Sequence, residues 1–246
     1  MISQFKYGPY LISYPEDHYK FLKEVFIFDV YRSDLLKKDD IVLDLGASTG
    51  DFSILASKKV GKNGKVVAIE PNKDDYELLK LNIQQNSCEN VIPLNFAVGS
   101  KLGEIEITFW GKTFKCAENT LPSILSELNI EKVDFVKMDI EGFETEVINN
   151  SIDIMKQAEV ISIECHNTKE QIDKLLLPYG FFFEPITYGY YYRKVLKNLF
   201  SHPIHIYKAG IDSIIKNPKL IYRTFTGYDL TREKVVEGSY IKARRN

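Results

Sequence analysis

The sequence predicts an α/β fold in which a mostly parallel sheet is covered on both faces by helices. Short apolar runs of strand length alternate with segments of helical periodicity from about residue 41 to residue 185. The first of these runs, 41–45, is followed by a glycine turn, a helical pattern and a second apolar run at 66–69. That order is the strand–turn–helix–strand unit from which doubly wound parallel sheets are built.

The remaining elements follow from the same alternation. Apolar residues at helical spacing between 21 and 31 predict an amphipathic N-terminal helix. Ile105, Ile107 and Phe109 alternate with polar residues, which indicates an inserted strand or hairpin. Strands are expected at about 41–45, 65–70, 91–96, 133–138, 160–164, 180–183 and 203–207, the last two as a candidate antiparallel pair. Helices are expected at about 50–60, 74–85, 121–128, 143–148 and 169–176.

Composition and charge indicate a globular protein with three regions. Of the 246 residues, 44% are hydrophobic and 27% charged, as in ordinary globular domains. We expect an N-terminal helical extension over 1–37, an α/β domain over 38–208 and a basic extension over 209–246. The formal net charge of -2 conceals an asymmetry, because residues 185–246 carry 12 Lys and Arg against 4 Asp and Glu. A basic region can face phosphate-bearing partners or be a solvated surface.

The sequence also predicts a location. It contains no run near the roughly 20 apolar residues that a membrane span needs, and its first residues lack a signal pattern. Three isolated cysteines fit a reducing compartment. We therefore expect a cytoplasmic protein, and the sequence does not indicate its oligomeric state.

The turn between the first strand and its helix predicts the kind of nucleotide that binds. Gly46 and Gly50 flank the turn, and Glu70 ends the next strand, where an acid can bind the hydroxyls of a ribose. Ser48 stands where a dinucleotide site needs glycine, and Asp51 at the start of the helix would repel a phosphate. These residues favour S-adenosylmethionine, which carries an adenosine and a sulfonium but no phosphate, over NAD.

Acidic and polar residues also follow the other predicted strands. In a parallel sheet the carboxyl ends of the strands form one rim, where ligands bind. Asp44, Glu70, Asn95, Asp139 and the pair Glu164 and His166 stand at or near these strand ends.

The stretch 133–144 contains a buried charge. Lys137 lies inside an otherwise apolar strand, where an unpaired ammonium would be costly, so we expect Glu141 or Glu144 to pair with it. Asp139 ends the strand and is expected to contact cofactor or substrate. For Lys137 the alternative is a structural ion pair that fixes the turn.

Four motifs occur in an order that resembles a known family. They are Asp44-Leu-Gly-Ala-Ser-Thr-Gly50, Glu70-Pro71, Asn95-Phe-Ala-Val-Gly99 and Lys137-Met-Asp-Ile-Glu-Gly-Phe-Glu144. Together they resemble the FkbM family of class I S-adenosylmethionine-dependent methyltransferases over about residues 38–185. The resemblance implies a doubly wound, Rossmann-like sheet of seven strands with the last one antiparallel, and O-methylation of sugars or related hydroxyl compounds. The domain over 38–208 would then be the methyltransferase domain.

The resemblance also implies roles for individual residues. The turn from Gly46 to Gly50 would hold the methionine part, Glu70 the ribose, and the segment from Asn95 to Ala97 would border the adenine. The predicted cofactor-binding residues are Asp44, Gly46, Ala47, Ser48, Thr49, Gly50, Glu70, Pro71, Asn95, Phe96 and Ala97. Asp139, Glu141 and His166 are the candidate catalytic residues, since a hydroxyl acceptor needs a group that removes its proton.

Several alternatives stay open. The predicted acceptor is a small molecule or glycan, but the basic, tyrosine-rich C-terminal region also fits an RNA-directed methyltransferase. A nucleotide-binding protein without methyltransferase activity is the third hypothesis. Asp139, Glu141, Glu164 and His166 would suit Mg²⁺, but their spacing does not require a metal and none is assigned. We expect the segment with Tyr188, Tyr190, Tyr191, Tyr192, Arg193, Lys194 and Lys197 to close over the acceptor side of the site.

Overall fold

The computed structural model of the protein describes residues 1–109, 111–185, 190, 193–194, 196–198 and 237–242. Its centre is a sheet of β3 (Ile41–Leu45), β4 (Lys65–Ile69), β5 (Val91–Leu94), β9 (Phe135–Met138), β10 (Val160–Glu164), β11 (Phe181–Pro185) and β12 (Glu237–Lys242). The strand order is β11-β12-β10-β9-β3-β4-β5. The five strands from β10 to β5 are parallel, and β12 pairs antiparallel with both β10 and β11.

Helices cover both faces of this sheet, as the sequence predicts. They are α1 (Tyr19–Lys23), α2 (Asp51–Val60), α3 (Lys73–Gln85), α4 (Leu121–Glu127), α5 (Glu144–Asn150), α6 (Ile152–Met155) and α7 (Lys169–Leu176). Alternate strand residues enter two separate cores: Val42 belongs to the core that contains residues of α2 and α3, whereas Leu43 belongs to the core that contains residues of α4, α5 and α7. Because both faces are buried, the strands read as continuous apolar runs.

The N-terminal region differs from the helical extension predicted over 1–37. It begins with a hairpin of β1 (Ile2–Tyr7) and β2 (Tyr10–Pro15), followed by α1 and a π-helical turn at Glu24–Phe28. The backbone of β2 is paired with a side chain of α3 and with that of the residue that caps its C-terminus. Asn82 exchanges hydrogen bonds with Ser13 at 2.7 and 2.8 Å, and Asn86 exchanges them with Leu11 at 2.9 and 2.7 Å. Four residues of helix and two of strand both span roughly 6–7 Å, which explains the match.

The insertion predicted near residue 105 is a hairpin. β7 (Gly103–Phe109) and β8 (Lys112–Asn119) pair antiparallel, and the short β6 (Ala97–Val98) joins β8 in a second small sheet.

Among the described residues, none of the helices is long and apolar enough to cross a membrane.

The C-terminal part of the sheet corrects the predicted boundaries. The strand predicted at 203–207 lies outside the described residues, as does the limit of the domain at residue 208. The strand between β10 and β11 is β12, which comes from the segment that the sequence assigned to an extension over 209–246. That segment therefore contributes to the sheet.

Candidate active site

A cavity opens at the carboxyl ends of the parallel strands. It has a volume of about 1040 Å³ including the part open to solvent. Its walls come from the N-terminal region, from the turns after β3, β4, β5 and β9, and from the inserted hairpin. This is the rim at which the sequence predicts a ligand.

The turn after β3 crosses this rim in close contact with its neighbours. The N–H groups of Gly46 and Ala47 donate to the Ile69 carbonyl at 3.0 and 2.9 Å. Gly46 has φ +79°, and a Cβ at this position would lie 1.9 Å from the Asp139 carbonyl oxygen. Glycine is thus required for both the conformation and the close approach. The turn passes between the ends of β4 and β9 and joins the two halves of the cavity.

Lys137 pairs with Asp44, not with Glu141 or Glu144 as predicted. The two residues lie opposite each other in the pairing of β3 with β9, and Lys137 Nζ is 3.2 Å from Asp44 Oδ1. The ammonium also donates to the Gly46 carbonyl and lies 5.0 Å from the centre of the Tyr31 ring. Asp44 is fully buried, and its Oδ2 accepts from Ser53 Oγ. Asp44 therefore stabilises the turn from within the sheet and is not part of the cavity wall.

Glu70 lies in the cavity wall at the end of β4. Its Oε2 accepts from the Ser48 N–H and its Oε1 from the Asn72 N–H, both at 2.7 Å. Ser48 reaches this position with φ +47°. Burial raises the pKa of the Glu70 carboxyl to about 8, while the two N–H donors act in the opposite direction. At neutral pH the carboxyl can donate its O–H to one ligand hydroxyl and still accept from another.

The other predicted cofactor residues separate into two groups. Those in the cavity wall, besides Gly46 and Glu70, are Ser48, Pro71, Phe96 and Ala97. Those outside the wall, besides Asp44, are Ala47, Thr49, Gly50 and Asn95.

Residues of the second group position the wall rather than form it. Asn95 donates its side-chain amide to the carbonyls of Glu70 and Pro71 at 2.8 and 3.2 Å. Ala47 and Thr49 are buried in the turn, and Gly50 precedes α2 with φ +86°.

Asp139 lies in the wall at the end of β9 and is held by a tyrosine from the N-terminal region. The Tyr31 hydroxyl donates to Asp139 Oδ2 at 2.8 Å and lies 3.5 Å from Glu164 Oε2. Burial, together with the charges of these two carboxylates, raises the pKa of Tyr31 well above its usual value. Tyr31 therefore remains protonated and keeps one oxygen of Asp139 fixed.

His166 lies among carboxylates beside Asp139. Its Nδ1 is 2.8 Å from Glu144 Oε1, and its Nε2 is 3.3 Å from Glu141 Oε2 and 3.9 Å from Asp139 Oδ1. Burial lowers the pKa of His166, but the hydrogen bond to Glu144 and the charges of Asp139 and Glu141 outweigh it and raise the pKa to about 9. Burial also raises the pKa of the Glu141 carboxyl. The imidazole is thus an imidazolium at neutral pH, and a hydrogen-bond donor.

Glu144 is fully buried and fixes His166 from the side away from Asp139. It accepts from the Gly142 N–H at 2.8 Å and from Thr168 Oγ1 at 3.0 Å. Burial raises the pKa of this carboxyl, but the hydrogen bond from His166 leads the effects that lower it below its usual value. From the sequence, Glu144 was expected only as a possible partner for Lys137, so its contact with His166 was not predicted.

Three of these side chains have the donor set of a cation site. One ligand atom each from Asp139, Glu164 and His166 lie within 4.8 Å of one another. Two carboxylates and an imidazole suit several divalent ions. The donors are compatible with such an ion but do not require one.

Sequence reasoning missed two further walls of the cavity. Phe21, Val25 and Tyr31 come from the N-terminal region, and Ile105, Ile107 and Phe114 from the inserted hairpin. Asp51, Asn72 and Asp75 also line it. The alternation that predicted the hairpin was the available signal for its wall, whereas nothing local to residues 21–31 indicated contact with β9.

The C-terminal basic segment contacts the N-terminal region in the part that is described. Lys194 Nζ pairs with Asp29 and lies 3.7 Å from Asp34, and the Tyr190 hydroxyl donates to Asp34 at 3.0 Å. Tyr188, Tyr191 and Tyr192 lie outside the described residues. The positive charge of Lys194 is therefore neutralised and does not lie in the cavity wall.

Comparison with known proteins gives three matches of interest. The family profile for the methyltransferase FkbM domain matches residues 44–186. The hexuronic acid methyltransferase AglP of Haloferax volcanii is 25% identical over 144 residues, which cover 53% of this chain and 57% of that protein. A probable cobalt-precorrin-6B C(15)-methyltransferase (decarboxylating) of Sulfurisphaera tokodaii is 34% identical over 85 residues, 33% of this chain and 44% of that one.

Solved structures also align with part of the chain. The FkbM methyltransferase of Methylobacillus flagellatus aligns with a TM-score of 0.48 and 20% identity, over 62% of this chain and 42% of that chain. The chain spans about half the length of the curated relatives described above.

Proposed function

Because the chain belongs to the FkbM methyltransferase domain family, we propose that it transfers the methyl group of S-adenosylmethionine to a hydroxyl group of a sugar, glycan or other small acceptor. One observation carries the proposal. A single cavity is lined both by Glu70, at the end of β4, and by Asp139 and Glu141, after β9. The Gly46 turn lies between them, so a ligand that binds its ribose at Glu70 can present its methyl group near Asp139.

The charges in the cavity support this donor. Asp51, Asp75, Asp139 and Glu141 line it, whereas burial keeps the Glu70 carboxyl largely neutral at pH 7. Lys137, the one lysine among the described lining residues, is paired with Asp44. An acidic wall attracts a sulfonium and an ammonium and repels the phosphates of NAD. Bound S-adenosylmethionine supplies an already activated methyl group, so the protein has to align the acceptor and receive its proton.

The residues after β9 and β10 are suited to that second task. We assign Asp139 and Glu141 to hydrogen-bond the acceptor hydroxyl and take up its proton. His166 is protonated at neutral pH, so its part is to hold these carboxylates in place through its positive charge, which lies 3.3 Å from Glu141 Oε2 and 3.9 Å from Asp139 Oδ1. Tyr31 fixes the orientation of Asp139 from the opposite side.

The relative from Haloferax volcanii is named a hexuronic acid methyltransferase, which supports a sugar or glycan as the acceptor class. Asp139 and Glu141 would nevertheless repel an acceptor carboxylate. At about 5 Å and an effective dielectric constant of about 20, each charge opposes it by roughly 3 kcal/mol. Neutral sugar hydroxyls are therefore favoured over uronates, and the same repulsion disfavours the phosphates of RNA.

Two experiments test the proposal in sequence. Calorimetry with S-adenosylhomocysteine and with NAD first establishes the donor, and we expect binding of the former alone. Incubation with methyl-labelled S-adenosylmethionine and a panel of neutral glycans, uronate-containing glycans and RNA then identifies the acceptor. Label transferred only to RNA would overturn the acceptor assignment, and tight binding of NAD would overturn the donor assignment.

A further inference from the structure

The inserted hairpin has one apolar face that is only half-buried. The pairing of β7 with β8 sets Ile105 opposite Cys116 and Ile107 opposite Phe114. Residues directly opposite in an antiparallel pair, and residues two apart on a strand, lie on the same face. Side chains on the other face, such as Glu106 and Lys115, are exposed. Three of the four apolar side chains, Ile105, Ile107 and Phe114, line the cavity.

The order of the strands places this face at one end of the cavity. Asp139 follows β9, Gly46 follows β3, Glu70 follows β4, and the hairpin comes after β5. Since neighbouring strands lie about 4.8 Å apart, the ends of β9 and β5 are separated by roughly 14 Å. The hairpin is therefore beyond Glu70 as seen from Asp139, away from the residues assigned to the acceptor.

The chemistry of the wall changes along the same line. The end near Asp139 and Glu141 is acidic, whereas the end near the hairpin combines Ile105, Ile107 and Phe114 with Phe96 and Val98. An apolar wall with an aromatic ring suits a flat, weakly polar group such as a purine. A ribose held by Glu70 carries its base directly on one ring carbon, so the base reaches the neighbouring wall.

We propose that the apolar face of the β7–β8 hairpin packs against the adenine of S-adenosylmethionine and is a binding element for the cofactor. The inference rests on the proposed function, because it takes the ribose to lie at Glu70. Its occupant is the adenine and not the methyl acceptor, because the acceptor must lie within reach of Asp139.

Calorimetry with two probes, S-adenosylhomocysteine and adenosine, tests the proposal. Loss of one aromatic ring from a base-stacking wall weakens binding by about tenfold. We expect Phe114→Ala to raise the Kd of both probes about tenfold, and to the same extent for each, because the base is common to them. Ile107→Ala should raise both Kd values by a few-fold. The matched controls, Glu106→Ala and Lys115→Ala, change the exposed face of the same hairpin and should bind both probes like the wild type.

A direct contact measurement keeps the test independent of folding effects. In the S-adenosylhomocysteine complex of the wild-type protein with labelled isoleucine methyl groups, nuclear Overhauser effects should connect Ile105 and Ile107 to H2 or H8 of the adenine. If the wild type binds S-adenosylhomocysteine but shows no such contacts, and Phe114→Ala binds equally well, this inference is wrong while the proposed function stands. If the wild type binds neither probe, both are wrong.

Discussion

The carboxylate of Glu70 gives the sharpest test of where the cofactor ribose binds. We consider Glu70→Gln and Glu70→Ala. The side chain lies in the cavity wall and accepts backbone N–H groups of Ser48 and Asn72 at 2.7 Å each. Glutamine keeps one carbonyl oxygen for one of these donors, but it turns an amide N–H₂ towards the other. Alanine removes both acceptors.

Each Glu70 substitution should change both the stability of the fold and the affinity for the ligand. A buried donor left without an acceptor costs about 1–3 kcal/mol, which for a chain of this size lowers the melting temperature by roughly 2–4 °C per kcal/mol. Loss of the hydrogen bonds to the two ribose hydroxyls, at about 0.5–1.5 kcal/mol each, removes about 1–3 kcal/mol of binding free energy, roughly a five- to hundredfold increase in Kd. The variants should therefore remain folded at 20 °C and bind S-adenosylhomocysteine clearly more weakly.

Calorimetry at 20 °C, with thermal unfolding of each variant, separates the two parts. Glu131→Gln is the matched control, because Glu131 is exposed and lies outside the cavity wall. If Glu70→Gln is folded and its Kd for S-adenosylhomocysteine lies within threefold of the wild-type value, Glu70 does not bind the ribose.

The other predictions concern the opposite end of the cavity and the charge beneath it. Asp139→Asn should reduce turnover at least tenfold on an acceptor from the screen while leaving the Kd for S-adenosylhomocysteine unchanged; normal turnover would remove Asp139 from the mechanism. Protonation of His166 stabilises the folded state, because its pKa is about 9 in the folded protein and about 6.5 in the unfolded chain. This contribution is fully present below about pH 6.5 and is lost as the pH rises through about 9. Urea unfolding should therefore show a gap of at most about 3 kcal/mol between wild type and His166→Gln at pH 6 that closes by pH 10; a constant gap would contradict the shift. Lys137→Met leaves the buried carboxylate of Asp44 without its partner and should lower the free energy of unfolding by about 3–5 kcal/mol, whereas an unchanged urea midpoint would show that the pair is dispensable. EDTA should not alter the affinity for S-adenosylhomocysteine, since the trio Asp139, Glu164 and His166 lies away from Glu70. A large loss of this affinity on chelation would indicate that a cation binds beside the cofactor.

The features that were predictable from sequence are those encoded locally. The strands around the Gly46 turn appear as apolar runs because both faces of the sheet are buried. Gly46 and Glu70, which both lie in the cavity wall, could be picked out because a close backbone approach and an acid at a strand end leave recognisable residues. The inserted hairpin was visible through the alternation of Ile105 and Ile107 with polar residues.

The features that were missed depend on pairing between distant segments. Lys137 was assigned a partner a few residues away, but the register of β3 with β9 sets it opposite Asp44, 93 positions earlier. The contact between Tyr31 and Asp139 spans 108 positions. No local pattern specifies such a register, because it is fixed by the packing of the whole sheet.

The ion pair of Lys137 with Asp44 also determines the charge of the cavity. Lys137 has its ammonium directed at Asp44 and the Gly46 carbonyl, so it supports the turn, and its charge also lowers the pKa of the nearby Asp51 carboxyl. Asp51 illustrates the result: burial raises the pKa of its carboxyl to about 6, a value still low enough for a negative charge at neutral pH. A buried pair that stabilises the turn thus accompanies an acidic wall, and under the proposed function this wall favours a donor with a sulfonium over one with phosphates. The register that sets Lys137 opposite Asp44 therefore contributes to the proposed choice of ligand.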